Sequence, residues 1–346
     1  MSLMTALPAL QQTAAPERVG DLPARRVDDI RALVAVEMEE VEQLVRRRID
    51  GGVTPGSDSA AHLFGAGGKR VRPLGVLLAA ACFGPLPPRA RDLAAASELV
   101  HMATLLHDDV IDDGDVRRGR PTSRRIWGNA VSVLAGDLLL VEALRLGSGG
   151  TDDVTFAELL ATLGRLVDGE IIQLRNRLAV SLDEGTYFDV VRGKTASLFE
   201  WALRAGARVG GAAGDAIDAL GRFGGNLGVA FQLVDDLLDY DGDGARTGKT
   251  LLADLGEGKV TLPLIEAASS SPGADVADLV ARVRSGDEAA AGDLARVVRR
   301  SGACDRVRVL ARRRTDEALA DLAHAPPGRA RDALADVARG LAARVA

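Results

Sequence analysis

LLHDDVIDDGDVRRGRP, Leu105 to Pro121, is the run from which the rest of the chain is read, together with its later counterpart FQLVDDLLDY, Phe231 to Tyr240. If both runs are helical, Asp108, Asp109 and Asp112 fall within little more than one turn, as do Asp235, Asp236 and Asp239, because residues three and four apart are neighbours on a helix surface. Each run then makes an acidic claw. Like charges at this spacing repel by roughly 0.2–0.5 kcal/mol per pair, and carboxylates near a helix C-terminus also oppose the macrodipole. A bound divalent cation removes both penalties. Hard carboxylate oxygens, with no His or Cys among the clustered positions, suit Mg²⁺ better than Zn²⁺. Magnesium keeps several waters and takes few carboxylates plus substrate phosphates. Two such claws facing each other would hold a polyphosphate between them. A single DDxxD reads equally well as a solvated helix end; two copies in apolar helices, each followed by basic residues, do not.

Composition narrows the classes. The 346 residues are 47% hydrophobic and 27% charged, a globular balance, and with only 3% aromatics Ala, Leu and Val must fill the interior. Net charge is −6 and no long basic block occurs, which argues against nucleic acid as a partner. The two cysteines, Cys82 and Cys304, match no CxxC or metal-ligand spacing. No apolar run reaches the roughly eighteen residues of a membrane span, and the start lacks the pattern of a secretory leader, so a cytoplasmic location is expected. Residues 1–24 read as a mobile arm and residues 25–346 as a single helical domain.

Helical periodicity starts near Arg25 and runs to Asp50, before a break over Gly51 to Asp58. LFGAGGKRVRP follows, Leu63 to Pro73: Gly65, Gly67 and Gly68 let backbone approach an anion, Lys69, Arg70 and Arg72 supply charge, and Pro73 opens a helix. By itself this stretch reads sooner as an ordinary basic turn before a helix. Arg89 to Asp113 has no Gly or Pro and delivers the first claw at its C-terminal end. His101, seven residues before Asp108, lies on the same stripe, though a lone histidine there is more often a core residue. Gly114 and Gly119 present Arg117 and Arg118 in a loop beside the claw. Phe156 to Ala179 carries Gly169, Glu170 and Gln173, polar groups odd on a buried face; Tyr187 to Val209 carries Lys194 and Thr195. Ala212 to Tyr240 brings the second claw, with Gly221, Gly224, Gly225 and Gly228 where helices approach closely. GKTLLADLGEGKVTLP, Gly248 to Pro263, places Lys249 and Lys259 near it. Beyond Leu264 lie helical hairpins with nothing catalytic. No stretch alternates with period two, so an all-α fold is expected.

GGKRVRP at Gly67 to Pro73, LLHDDVIDDGDVRRGRPT at Leu105 to Thr122, LAGDLLL at Leu134 to Leu140, GKTASLF at Gly193 to Phe199 and FQLVDDLLDY with DLGEGKVTLP after it resemble the trans-isoprenyl (polyprenyl) diphosphate synthases, in order, across Phe64 to Pro263. The resemblance implies an isoprenoid synthase-type bundle of long helices around a central cavity, usually a homodimer, with the claws facing each other at its mouth. It implies about three Mg²⁺ ions with diphosphate bound, held by Asp108, Asp112 and Asp235, with Asp109, Asp236 and Asp239 as ligands or as partners behind them. Arg117, Lys194, Lys249 and Lys259 would bind the diphosphate of an allylic primer, and Thr195 and Gln232 would lie beside the allylic cation. Lys69, Arg72, His101 and Arg118 would hold isopentenyl diphosphate. Asp108, Asp109, Asp112, Asp235, Asp236 and Lys194 are thus the expected catalytic set, and no protein nucleophile is needed. Thr250 stands where the family commonly has Pro. Glu200 and Trp201 replace smaller residues, either at the surface or narrowing a cavity wall.

Product length follows from the same resemblance. The residue five before the first aspartate acts in the family as a floor under the growing chain, and here it is Ala103. The next turn offers Ala96, Leu99 and Val100, none aromatic, so an all-trans product of twenty carbons or more, of medium or long chain, is expected. Alternatively Ala103 only packs helix on helix while another element closes the cavity, as in a short-chain farnesyl or geranylgeranyl synthase. A class I terpene cyclase would not repeat DDxxD or need GGKRVRP, and a non-catalytic synthase subunit would have lost claw or basic positions. A long lipid product would draw the enzyme to a membrane surface.

Overall fold

Ile30, Val34, Met38, Val41, Val45 and Ile49 recur every three or four residues, and all six are buried on one stripe of the first helix, α1 (Ala24–Asp50). The computed structural model describes residues 24–150, 153–179, 181–240, 252–270 and 276–343. Lys249 and Thr250, and the arm expected over 1–24 apart from Ala24, lie outside the described residues.

The break after α1 is shorter than the Gly, Pro and Ser signals suggest, because α2 (Gly56–Gly65) begins inside it. The glycine-rich turn then uses Gly67 at φ 81°, and α3 (Val71–Ala81) starts two residues ahead of Pro73. Proline is tolerated there because the N–H it lacks would be unsatisfied in a first turn. Helix α4 (Pro88–Ile111) runs for about 36 Å and packs on α1, α3, α6 (Asn129–Gly147) and α9 (Ser197–Val209). It ends one residue before Asp112, and the Gly114 N–H returns to the Asp109 carbonyl at 2.9 Å. The chain next forms a tight hairpin, β1 (Val116–Arg117) and β2 (Arg120–Pro121), with Arg118 and Gly119 at φ 52° and 72° in its turn. This is the only strand pair among the described residues, so the all-α expectation holds. A short α5 (Ser123–Trp127) leads into α6.

The single helix expected over Tyr187 to Val209 is divided into α8 (Glu184–Val190), a π turn over Val191–Ala196, and α9. The π turn lies where α7 (Asp153–Ala179) crosses backbone to backbone: a Cβ on Gly169 would sit 2.7 Å from the Lys194 nitrogen, and one on Gly193 would sit 2.8 Å from the Arg165 carbonyl. In α10 (Gly214–Tyr240) the close-approach expectation holds at Gly224 and Gly228, whose added Cβ atoms would meet α9 and π-turn backbone at 2.5 and 2.6 Å. Gly225 faces open space instead. Trp201 is not at the surface: it is 1% exposed and its indole N–H donates to the Thr155 carbonyl at 3.1 Å. Glu200 is half-exposed and pairs with Arg165 at 2.8 Å.

After α10 come α11 (Ala253–Gly256), α12 (Leu262–Ser270), α13 (Val276–Arg284), α14 (Glu288–Arg300), α15 (Ala303–Asp321) and α16 (Arg329–Ala342). The core forms two apolar clusters, one around α4 and one beneath the C-terminal helices, and α10 contributes to both.

Candidate active site

The first claw sits where α4 ends, opposite the C-terminal half of α7 and the segment after α11. Asp112 accepts from Lys259 Nζ at 2.7 Å and from Arg177 Nη1 at 3.2 Å. Asp108 lies 3.4 Å from Lys194 Nζ, which also pairs with Glu170. Burial raises the Glu170 carboxyl above its ordinary range although Lys194 opposes it. Burial likewise disfavours charge on Lys259, yet Asp112 and Glu257 outweigh it and hold the ammonium above its usual value. Asp109 points the other way: it is 4% exposed and accepts from Arg117 Nε and Nη2, both at 2.8 Å. Burial pushes its carboxyl up and Arg117 pulls it down.

In the second claw Asp236 and Asp239 accept from neutral donors. Asp236, 1% exposed, accepts from the Tyr187 hydroxyl at 2.7 Å and from Gln232 Nε2 at 2.8 Å, while Thr195 donates to Gln232 Oε1 at 3.0 Å. Burial, with Asp254 and Asp235 nearby, pushes Asp236 up to about 7 against those hydrogen bonds. Asp239 is buried and accepts the Ala253 N–H at 3.0 Å, capping α11.

Asp108, Asp112, Asp235 and Asp236 line one cavity of about 270 Å³, together with Arg117, Lys194, Thr195, Gln232 and Lys259. Asp109 and Asp239 are not among its lining residues; each supports a neighbour, Arg117 in one case and the backbone after α10 in the other. A second cavity of about 300 Å³ brings together Lys69, Arg72, His101 and Arg118 beside Phe199 and Phe231. Burial, then Arg72 and the neighbouring guanidiniums, drives His101 far below its ordinary value, so its ring is neutral at pH 7. Burial pushes Arg72 down to about 10, with Glu98 opposing, and its guanidinium lies 4.5 Å from the Phe199 ring centre. Asp235 lines both cavities, so the acidic and basic chambers share a wall.

The family model for polyprenyl synthetase matches residues 56–299. This chain belongs to that family. An all-trans-nonaprenyl-diphosphate synthase (geranyl-diphosphate specific) of Rhodobacter capsulatus is 36% identical over 90% of this chain and 96% of its own. A nonaprenyl diphosphate synthase of Mycobacterium tuberculosis is 40% identical over 72% of this chain and 74% of its own. The crystal structure of a polyprenyl synthase from Caulobacter crescentus CB15, complexed with calcium and isoprenyl diphosphate, superposes with a TM-score of 0.87 at 36% identity, covering 96% of this chain and all of the other. The protein is a prenyltransferase with the all-α isoprenoid synthase fold.

For this polyprenyl synthetase, the donor set around the claws fits Mg²⁺. No three His, Cys, Asp or Glu side chains among the described residues converge to enclose an ion. The carboxylate oxygens of Asp108, Asp112, Asp235 and Asp236 facing one cavity are hard donors of the kind that Mg²⁺ takes beside phosphate and water. Ala103 is 2% exposed within the packed core, and the catalytic cavity reaches Leu105 on α4 but not Ala103.

Four neighbours of the chemistry escaped sequence reading: Tyr187, Arg177, Asp254 and Glu98. Only Tyr187 carried a signal, as a polar aromatic seven residues before Lys194. A wider cavity of about 640 Å³ backs onto the π turn, but Arg165, Arg192, Arg222 and Arg314 in its wall are each paired with a carboxylate.

Proposed function

We propose that the protein condenses isopentenyl diphosphate with an allylic diphosphate to give an all-trans polyprenyl diphosphate, with residues 25–346 acting as one catalytic unit. The observation that carries this reading is the shared wall at Asp235: a cavity with opposed carboxylates adjoins a cavity lined by cations, as two diphosphates meeting at their reactive carbons require. Asp108, Asp112 and Asp235 would hold Mg²⁺, with Asp236 beside them. The metal supplies Lewis-acid neutralisation of charge on a departing diphosphate. Lys194, Lys259 and Arg117 would turn from their carboxylate partners to that diphosphate once the claws are neutralised, and Lys249 is assigned there by resemblance. Because Thr195 spends its proton on Gln232, its oxygen lone pairs are left for a cation in the cavity. Lys69, Arg72, Arg118 and neutral His101 would bind isopentenyl diphosphate, and the proton lost from it would pass to the released diphosphate.

The product reading is twenty carbons or more, of medium or long chain, supported by the long-chain names of relatives; Ala103, Ala96, Leu99 and Val100 on α4 are assigned as the floor by resemblance, since none of them lines the cavity. Homodimerisation is supported by exposed apolar residues along α6 and α7: Val133, Leu134, Val141, Leu160, Val167 and Ile171. No helix among the described residues is long and apolar enough to cross a membrane; the proposed location is cytoplasmic, with a long lipid product drawing the enzyme to a membrane surface.

The test is incubation with Mg²⁺, labelled isopentenyl diphosphate and, separately, dimethylallyl, geranyl, farnesyl and geranylgeranyl diphosphates, with chain-length analysis of the products. Elongation to twenty carbons or beyond is expected, and Ala103→Phe should shorten it. Termination at fifteen carbons in the parent would refute the open floor at Ala103. Metal-dependent primer binding without elongation would refute the synthase reading itself.

A further inference from the structure

GGKRVRP supplies three cations in four positions, yet the fold treats the middle one differently. Lys69 and Arg72 line the basic cavity. Arg70 is 7% exposed and stands in the left-handed region at φ 49°, as the N-cap of α3. Its guanidinium lies 4.4 Å from the Phe64 ring centre and donates to the Phe64 carbonyl at 3.3 Å. It forms a buried ion pair with Glu98 of α4, and its Nε is 3.6 Å from Glu42 of α1. Arg70 is therefore committed to two acids on two other helices.

Left-handed backbone costs a non-glycine residue on the order of 1–2 kcal/mol and persists where the surroundings over-determine it. Here the ring contact, the carbonyl and the two acids do so. Glu98 is 4% exposed and one turn before His101, so the pair ties the turn carrying Lys69 and Arg72 to the helix carrying His101. Its negative charge also favours the charged forms of Arg72 and Arg118, on which burial acts the other way.

We propose that Arg70 and Glu98 are a positioning pair for the second substrate: they fix the turn so that Lys69 and Arg72 converge with His101 on one diphosphate, without touching it themselves. This rests on reading the basic cavity as the isopentenyl diphosphate site.

The test uses the full chain with Arg70→Lys, which keeps charge but loses the planar fork, and Glu98→Asp, which keeps charge but shortens the reach. Parent enzyme comes first. If it shows no saturable dependence on isopentenyl diphosphate, the functional reading fails, whatever the pair does. With that dependence in hand, both variants should raise the KM for isopentenyl diphosphate by about tenfold or more, equivalent to about 1.4 kcal/mol. The KM for farnesyl diphosphate and kcat should stay within about threefold of the parent. A purely structural ion pair would lower the melting temperature without this selectivity. Folded variants whose isopentenyl diphosphate KM is unchanged, or whose two KM values rise together, would overturn the proposal. So would failure of both variants to fold, since the pair would then belong to the core and not to the site.

Discussion

The two claws share one motif and differ in how their charge is held. In the first, cations answer carboxylates: Lys194 faces Asp108, Lys259 and Arg177 share Asp112, and Arg117 grips Asp109. In the second, neutral groups donate to Asp236 and Asp239: Tyr187 and Gln232 to the former, and the Ala253 N–H to the latter. The helix positions explain the contrast. The first claw lies at the C-terminal end of α4 beside the hairpin, where the long side chains of Arg117, Arg177, Lys194 and Lys259 reach it. The second lies in the last turns of α10, between α8 and α11, which bring Tyr187 to Asp236 and the Ala253 N–H to Asp239. The shared DDxxD pattern thus gives one claw balanced by long cationic side chains, and one in which Asp236 and Asp239 accept from neutral donors.

Removing a carboxylate from either side should break both claws' shared task. Asp108→Ala and Asp235→Ala are each expected to leave folded protein with turnover lower by at least about a thousandfold, because charge stabilisation at the leaving group carries most of the rate. A loss below about tenfold in steady-state assays would remove that residue from the site. Tyr187→Phe sharpens the contrast. It deletes one hydrogen bond to a buried carboxylate, worth about 1.5–3 kcal/mol, and should lower kcat by about tenfold or more while the first claw's ion pairs remain.

Asp239→Ala separates support from chemistry. Its carboxylate caps the Ala253 N–H rather than facing the cavity, so stability in urea should fall by about 1–3 kcal/mol while turnover drops far less than in Asp235→Ala. Equal losses of turnover would place Asp239 with the metal ligands. The smallest effect concerns pH. Asp236 is raised by burial from 3.8 to about 7, so the native state binds its proton more tightly than the unfolded chain. Its contribution to metal-free stability is therefore fully present below about 3.8 and is lost progressively as pH rises from there to about 7. The melting temperature of Asp236→Asn should show a flatter pH dependence across that window than the parent.

Much of this was legible beforehand. Paired DDxxD runs located both claws, and the spacing of Gly, Pro and apolar residues located α4, α7 and α10 to within a few residues. GGKRVRP located the basic cavity, and Lys69, Arg72, His101 and Arg118, scattered across fifty positions, do meet there. What was hidden depends on direction rather than spacing. Nothing in the letters distinguishes Asp109, turned onto Arg117, from Asp108, turned into the cavity, since a helix places neighbours about 100° apart and its end geometry decides the rest. The π turn at Val191–Ala196 was equally invisible, because it arises from the Gly169 and Gly193 backbones meeting in space. Gly225 shows the converse error: a glycine expected at a close approach opens a cavity wall.

The most direct test of the two-claw account is calorimetric titration of Mg²⁺ into the protein with and without a non-ionisable allylic diphosphate analogue. The account predicts weak uptake alone and tight uptake of about three ions per chain with the analogue, abolished by Asp108→Ala and by Asp235→Ala alike. Uptake that is unaffected by the analogue, or that survives loss of either aspartate, would contradict it.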